Sequence, residues 1–237
     1  MNLSSGIKYS FLVVVVVLMQ NKVVVSEEAI KVHLAEGRTD LEEFASKLEM
    51  TLNQWYPYIK GLLSSDSSTP NYSPPVTINV FFERMEDKST IAMASSEGRI
   101  ILGNIDYYQT HQHDVGSMIH ELVHLIQEYP KNVCPTWLIE GIADYVRYYH
   151  FHRQDQHTDR VRGKLFLMPR KPSRRQSWRD GYATTAFFLD YVVANVREDF
   201  LYWINKSCRD GHYRESIWKK LTGHSIIKLW RKMIKNG

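Results

Sequence analysis

The 237-residue chain has no apolar run long enough to cross a bilayer: its longest, Phe11 to Met19, counts nine residues, against the roughly 20 that a spanning helix needs. The mature chain is therefore expected to hold no membrane span. A strong charge imbalance is also missing. The formal net charge is +4, and two of the cations, Lys8 and Lys22, fall in a leader with no acid, so the remainder carries +2. That is too weak to imply a nucleic-acid partner. Cysteine is scarce, with only Cys134 and Cys208, and there is no internal repeat or low-complexity tract. Hydrophobic residues make up 43% of the chain, enough for one large domain or two small lobes sharing a cleft.

Residues 1–26 read as a secretory signal peptide. Lys8 supplies the basic start, the nine-residue apolar run follows, and Val24-Val25-Ser26 offers a cleavage site after Ser26. The expectation is a secreted, extracellular protein whose single domain is 27–237. In an oxidising compartment Cys134 and Cys208 can pair, the alternative being two buried thiols. Asn71-Tyr-Ser and Asn205-Lys-Ser are glycosylation sequons.

Against this background one stretch stands out, Met118-Ile-His-Glu-Leu-Val-His-Leu-Ile-Gln127. On a helix, His120 and His124 lie four apart and share a face, so their imidazoles can bind one metal ion. Glu121 lies about 100° round the helix, off the ligand direction but near enough to take a proton from a water at the metal. The neighbours are apolar, and three polar groups in so greasy a helix need a reason. The bland alternative is a buried helix with two satisfied core histidines.

Zinc needs a third protein ligand and keeps its fourth position open. Sixteen residues on, Trp137-Leu-Ile-Glu140-Gly-Ile-Ala-Asp144-Tyr145 places Glu140 and Asp144 at i and i+4 of a second helix. Glu140 can be the third ligand. Asp144 can hold a ligand histidine through its other ring nitrogen. One zinc per chain is expected. The motif excludes a three-histidine site of the metzincin kind, because the positions that would carry the extra Gly and His are Gln127 and Pro130.

Elsewhere the pattern predicts a helix from Ser26 to about Leu63, with a capping box at Thr39–Glu42 and a kink or stop at Pro57. It predicts a strand over Val76–Phe82, and a hairpin from Ala92 to Leu102 whose turn suits Gly98. Asp114 suits the N-cap or the first turn of the metal helix, and residues 183–196 and 198–206 read as core helices. The stretch Arg160–Arg179 holds eight basic residues and no acid. It is either a solvated loop or a site of attraction to acidic polymers. The basic helix around Lys228–Lys235 reads as a solvated face beside Trp230 and Ile234.

In this order, Val76–Phe82, the hairpin, the two metal-site segments, Gly181-Tyr-Ala-Thr-Thr-Ala186 and Trp218-Lys-Lys-Leu-Thr-Gly223 resemble the plant basic secretory proteins, secreted zinc metallopeptidases of the gluzincin type. The resemblance implies an α+β, zincin-like fold. A small twisted sheet and the active-site helix would form an upper lobe of about 27–129, above a mainly helical lower lobe of about 130–237. It implies that His120, His124 and Glu140 bind zinc, that Glu121 is the base, and that Asp144 supports a ligand. Ala92-Met93-Ala94 would be the cleft-edge strand that binds an extended peptide by strand addition. Tyr182 is the candidate oxyanion donor, in competition with Tyr148, Tyr149, His150, His152 and His157. The expected activity is hydrolysis of a peptide or protein substrate by a monomer. The alternative is a non-catalytic extracellular protein of the defence or carbohydrate-binding kind on the same fold.

Overall fold

The structure, a computed structural model, describes residues 30–63, 76–153 and 168–236. The expected signal peptide, the Asn71 sequon, His157 and the basic residues Arg160, Arg162 and Lys164 lie outside them. Four strands, β1 (Ile30–His33), β2 (Ile78–Glu83), β3 (Ala92–Ser95) and β4 (Ile100–Asn104), form one sheet in the order β1-β2-β4-β3. β1, β2 and β4 run parallel, and β3 pairs antiparallel with β4 at the edge. Along β2 the side chains alternate, with Ile78, Val80 and Phe82 buried and Phe81 exposed, as a sheet with one covered face requires.

The cover is helix α1 (Glu42–Leu63). Its Phe44, Leu48, Leu52, Trp55, Ile59 and Leu63 recur three or four apart and are all buried, a single apolar stripe. A short α2 (Ile105–Tyr108) follows β4 and leads to α3 (Val115–Gln127). A Cβ on Gly103 of β4 would lie 2.5 Å from the Met118 side chain, so this glycine lets α3 press against the sheet. The C-terminal half is helical: α4 (Thr136–Tyr145), continued by a π-helical turn over Val146–His152, then α5 (Tyr182–Asn195), α6 (Phe200–Arg209), α7 (Ser216–Thr222) and α8 (Ile226–Asn236). Phe188, Phe200, Trp218 and Trp230 form its aromatic core, Phe188 stacking on Trp218 at 5.4 Å. Cys134 and Cys208 form a disulfide. Among the described residues no helix is long and apolar enough to cross a membrane. The arrangement is the expected α+β one of a small sheet with a helical lobe.

Several local expectations are corrected. Residues 30–33 are a strand, not helix. β1 pairs with β2 on one side, and α1 serves its backbone on the other. The Asn53 side chain bonds both the N–H and the C=O of Ile30 (3.0 and 2.8 Å), and Glu49 accepts from the Val32 N–H at 2.8 Å. Thr39–Leu41 is a 3-10 turn with no side-chain cap. Pro57 neither ends nor breaks α1 into two helices; it is exposed, while Trp55, Tyr56, Ile59 and Leu63 around it are buried. That burial offsets the roughly 3 kcal/mol a mid-helix proline costs. In the β3–β4 turn the left-handed residue is Arg99 (φ 51°), not Gly98. Asn205 is fully buried. It donates to the Leu63 carbonyl at 2.6 Å and accepts from the Tyr129 hydroxyl at 2.6 Å, so its sequon cannot carry a glycan in this fold.

Candidate active site

Helix α3 is fastened at its start by side chains of the protein alone. Asp114 caps it, accepting from the Ser117 N–H at 3.2 Å, as expected. The same carboxylate accepts from the Tyr107 hydroxyl at 2.8 Å and from Arg147 at 3.0 Å. Arg147 belongs to the π-helical turn that continues α4. At the other end Glu128 takes a left-handed conformation (φ 40°) and its N–H reaches back to the His124 carbonyl. Gly116 faces His152 so closely that a Cβ would lie 2.4 Å from its Nε2, and Gly141 of α4 likewise meets Thr185 of α5 at 2.2 Å. The helices carrying the site are in backbone-close contact.

His120, His124 and Glu140 converge: one ligand atom from each lies within 4.8 Å of the others, and together they could hold a metal ion. The two Nε2 atoms are 3.0 Å apart, and Glu140 Oε2 lies 3.1 Å from the first and 3.4 Å from the second. Zinc bonds of about 2.0–2.2 Å in a tetrahedron put neighbouring ligand atoms roughly 3.3–3.6 Å apart, so the trio, at 3.0–3.4 Å, sits close to the size of a zinc site.

Hydrogen bonding fixes which nitrogens face inward. Asp144 Oδ1 lies 2.7 Å from His120 Nδ1. A carboxylate only accepts, so that nitrogen carries the hydrogen. Gln127 does the same for His124. Its Nε2 donates to the Ile139 carbonyl at 3.1 Å, which turns its Oε1 towards His124 Nδ1 at 2.9 Å. Both imidazoles therefore aim Nε2 at a carboxylate oxygen and at each other. Three electron-rich atoms so close require a cation or a proton between them.

The charges agree. Burial pushes the His120 pKa down, but hydrogen bonds to Asp144 and Glu140 outweigh it and hold it at about 9. Burial raises Glu140, yet the hydrogen bonds with both histidines dominate and hold it at about 2. Glu121 is half-buried, and burial raises its pKa against the downward pull of His120 and His124. It takes no part in the ligand cluster, and the backbone amide of Ala94 on β3 stabilises its charged form.

Tyr182 opens α5 and is 57% exposed, with its ring stacked on His120 at 6.2 Å between centroids. Its φ of 46° follows Gly181 at 74°; a left-handed tyrosine is strained backbone of the sort that collects at functional sites. The negative charge of Glu140, with burial, raises its pKa, which keeps the hydroxyl a donor. The competing residues among those described are engaged elsewhere. His150 bonds the Tyr58 hydroxyl at 2.6 Å, Tyr149 stacks on Tyr145, Tyr148 lies under Arg147, and His152 abuts Gly116. Ala92, Met93 and Ala94 form the edge strand expected for a peptide, with Met93 exposed. Gln127 was missed as a functional residue. The signal was available: a polar side chain three residues beyond His124, on the same face of a helix otherwise apolar there.

A protein-family model described as "BSP: Peptidase of plants and bacteria" matches residues 26–233. No curated protein and no solved structure matches the chain.

Proposed function

The chain belongs to the BSP family, peptidases of plants and bacteria, and from that premise we propose that it is a secreted, zinc-dependent peptidase of the gluzincin type. His120, His124 and Glu140 would hold one zinc ion. The observation that carries this reading is the pair of fixed imidazole tautomers, each aiming Nε2 at the Glu140 carboxylate.

When bound there, zinc supplies Lewis acidity, which makes a water nucleophilic near neutral pH and polarises a scissile carbonyl. The rest falls to the chain. Glu121, whose pKa is raised by burial, accepts the proton of the attacking water and passes it to the leaving amine. The Tyr182 hydroxyl donates to the carbonyl oxygen as negative charge develops. The outer edge of β3 offers main-chain N–H and C=O groups to an extended substrate. The leader would be removed after Ser26, and the disulfide suits an oxidising compartment. N-terminal sequencing of the exported protein should begin near Glu27.

Glu121→Gln tests the mechanism. It keeps the shape and removes the base, so zinc content should stay at one per chain while peptide hydrolysis falls by about 10²–10⁴-fold. A variant as active as wild type would sink the assignment, as would a wild-type protein that carries zinc and cleaves nothing in a broad peptide mixture.

A further inference from the structure

Helix α8 carries a second feature. Ser225, Ile227, Lys228, Arg231, Lys232 and Lys235 line a groove of about 380 Å³. Lys228, Arg231, Lys232 and Lys235 stand at i, i+3, i+4 and i+7, one face of the helix over about 10.5 Å. The opposite face is already used: Ile226, Leu229, Trp230 and Met233 are buried, and the Trp230 ring meets Phe188 and Trp178. Folding thus accounts for the apolar side and not for the charged one. Like charges three and four apart destabilise a helix slightly, and no acidic residue occurs from Ser216 to Gly237. Among the described residues none of the four cations has an ion pair, whereas Arg179, Arg197 and Lys206 of the same helical half are paired with Glu215, Asp199 and Asp210. Lys232 instead donates to His224 Nε2 at 3.0 Å, which holds its ammonium at the groove.

We propose that this groove binds a linear, stiff polyanion, an acidic polysaccharide of the polyuronate class. The magnitudes select the occupant. Exposed ionic contacts are individually weak, so four can hold only a ligand that loses little freedom on binding. A flexible acidic peptide loses backbone freedom at every residue it orders, which cancels the gain. A membrane surface takes up a whole apolar helix face. Here that face is in the core, and Ile227 alone is apolar in the groove. A single-stranded nucleic acid would look for aromatic rings to stack its bases, and the groove lining has none. The site is separate from the metal ligands and does not depend on the peptidase reading.

The test is direct binding of the mature protein to polygalacturonate at low salt, with fully methyl-esterified polygalacturonate as the uncharged control. Binding should vanish on esterification, weaken as salt rises, and fall about tenfold in Lys228→Gln/Arg231→Gln, the loss of two exposed contacts. Metal content and peptide hydrolysis should not change. Lys47→Gln/Lys88→Gln, two exposed lysines elsewhere, removes the same net charge and should bind as wild type. Equal losses in the two variants would show bulk charge rather than a site and overturn the proposal, as would no loss in the first or no binding at all. Tighter binding to duplex DNA, polyglutamate or phosphatidylserine vesicles would overturn the choice of polysaccharide.

Discussion

Asp144→Ala should weaken zinc binding without removing a ligand. Asp144 is 4% exposed, and its Oδ1 takes the His120 Nδ1 hydrogen at 2.7 Å. Alanine leaves a buried N–H with no acceptor. Neutral His120 can then move its hydrogen to Nε2, where Glu140 Oε2 waits at 3.1 Å. That tautomer cannot bind a metal through Nε2, so zinc must restore the original one against a lost hydrogen bond. A hydrogen bond to a charged group contributes about 1.5–3 kcal/mol, which corresponds to roughly 10–150-fold in dissociation constant and agrees with the usual effect of losing a ligand's outer partner. Competition against a chromogenic zinc chelator reads this directly. Asp144→Asn should recover part of the loss, because its amide oxygen still accepts, and that recovery separates orientation from misfolding. If Asp144→Ala holds zinc within twofold of wild type, the tautomer argument is wrong.

Gln127→Ala removes the equivalent support from His124 and should raise the zinc dissociation constant by about 10–100-fold, read in the same competition assay. Because Gln127 is 2% exposed and also ties down the Ile139 carbonyl, it should lower the thermal midpoint too. Tyr182→Phe should lower kcat, by about 10²-fold for a lost oxyanion donor, with zinc content and KM little changed; a variant with unchanged kcat excludes the hydroxyl from the reaction. Gly141→Ala places a methyl 2.2 Å from Thr185 Cγ2 and should cost about 1–3 kcal/mol in denaturant unfolding. It should reduce hydrolysis as well, since α4 carries Glu140 and α5 carries Tyr182.

The candidate metal ligands were legible because their geometry is local. His120 and His124 are one helical turn apart, and Glu140 and Asp144 repeat that spacing, so sequence distance alone nearly fixes direction. The Asp114 cap and the β3–β4 hairpin were legible for the same reason. What escaped depends on partners far along the chain. Ile30–His33 is too short to announce itself as a strand; β2, some 48 residues later, and the side chains of Asn53 and Glu49 make it one. Pro57 signals a break that packing overrides. The Asn205 sequon says nothing of the Leu63 carbonyl, 142 residues away, that claims its side chain. The cation row of α8 was visible as an exposed face, whereas its want of the acids that accompany Arg179, Arg197 and Lys206 emerges only from the folded neighbours.

The most distant parts of the sequence bear on the candidate metal centre through one helix, α6. Its last residue, Arg209, is buried and donates to the carbonyls of Ile126 and Gln127 at the end of α3, and to Leu63 at the end of α1. Helix ends expose carbonyls that need donors when buried, and one guanidinium serves two such ends at once. The preceding residue, Cys208, is bonded to Cys134 in the loop between the two ligand-bearing helices. The far end of α3 is held from α4's own continuation by the Arg147–Asp114 pair. A site built from two helices works only if their offset is fixed to within about half an ångström. A His-Glu-x-x-His motif fixes the two histidines relative to each other and leaves the offset to Glu140 free. Here that offset is set at both ends of α3, by Arg147 at the start and by Gln127, Arg209 and the disulfide at the finish. None of these ties lies within the motif itself save Gln127 at its border: the offset of Glu140 depends on Arg147, Arg209 and Cys208, all of them further along the chain.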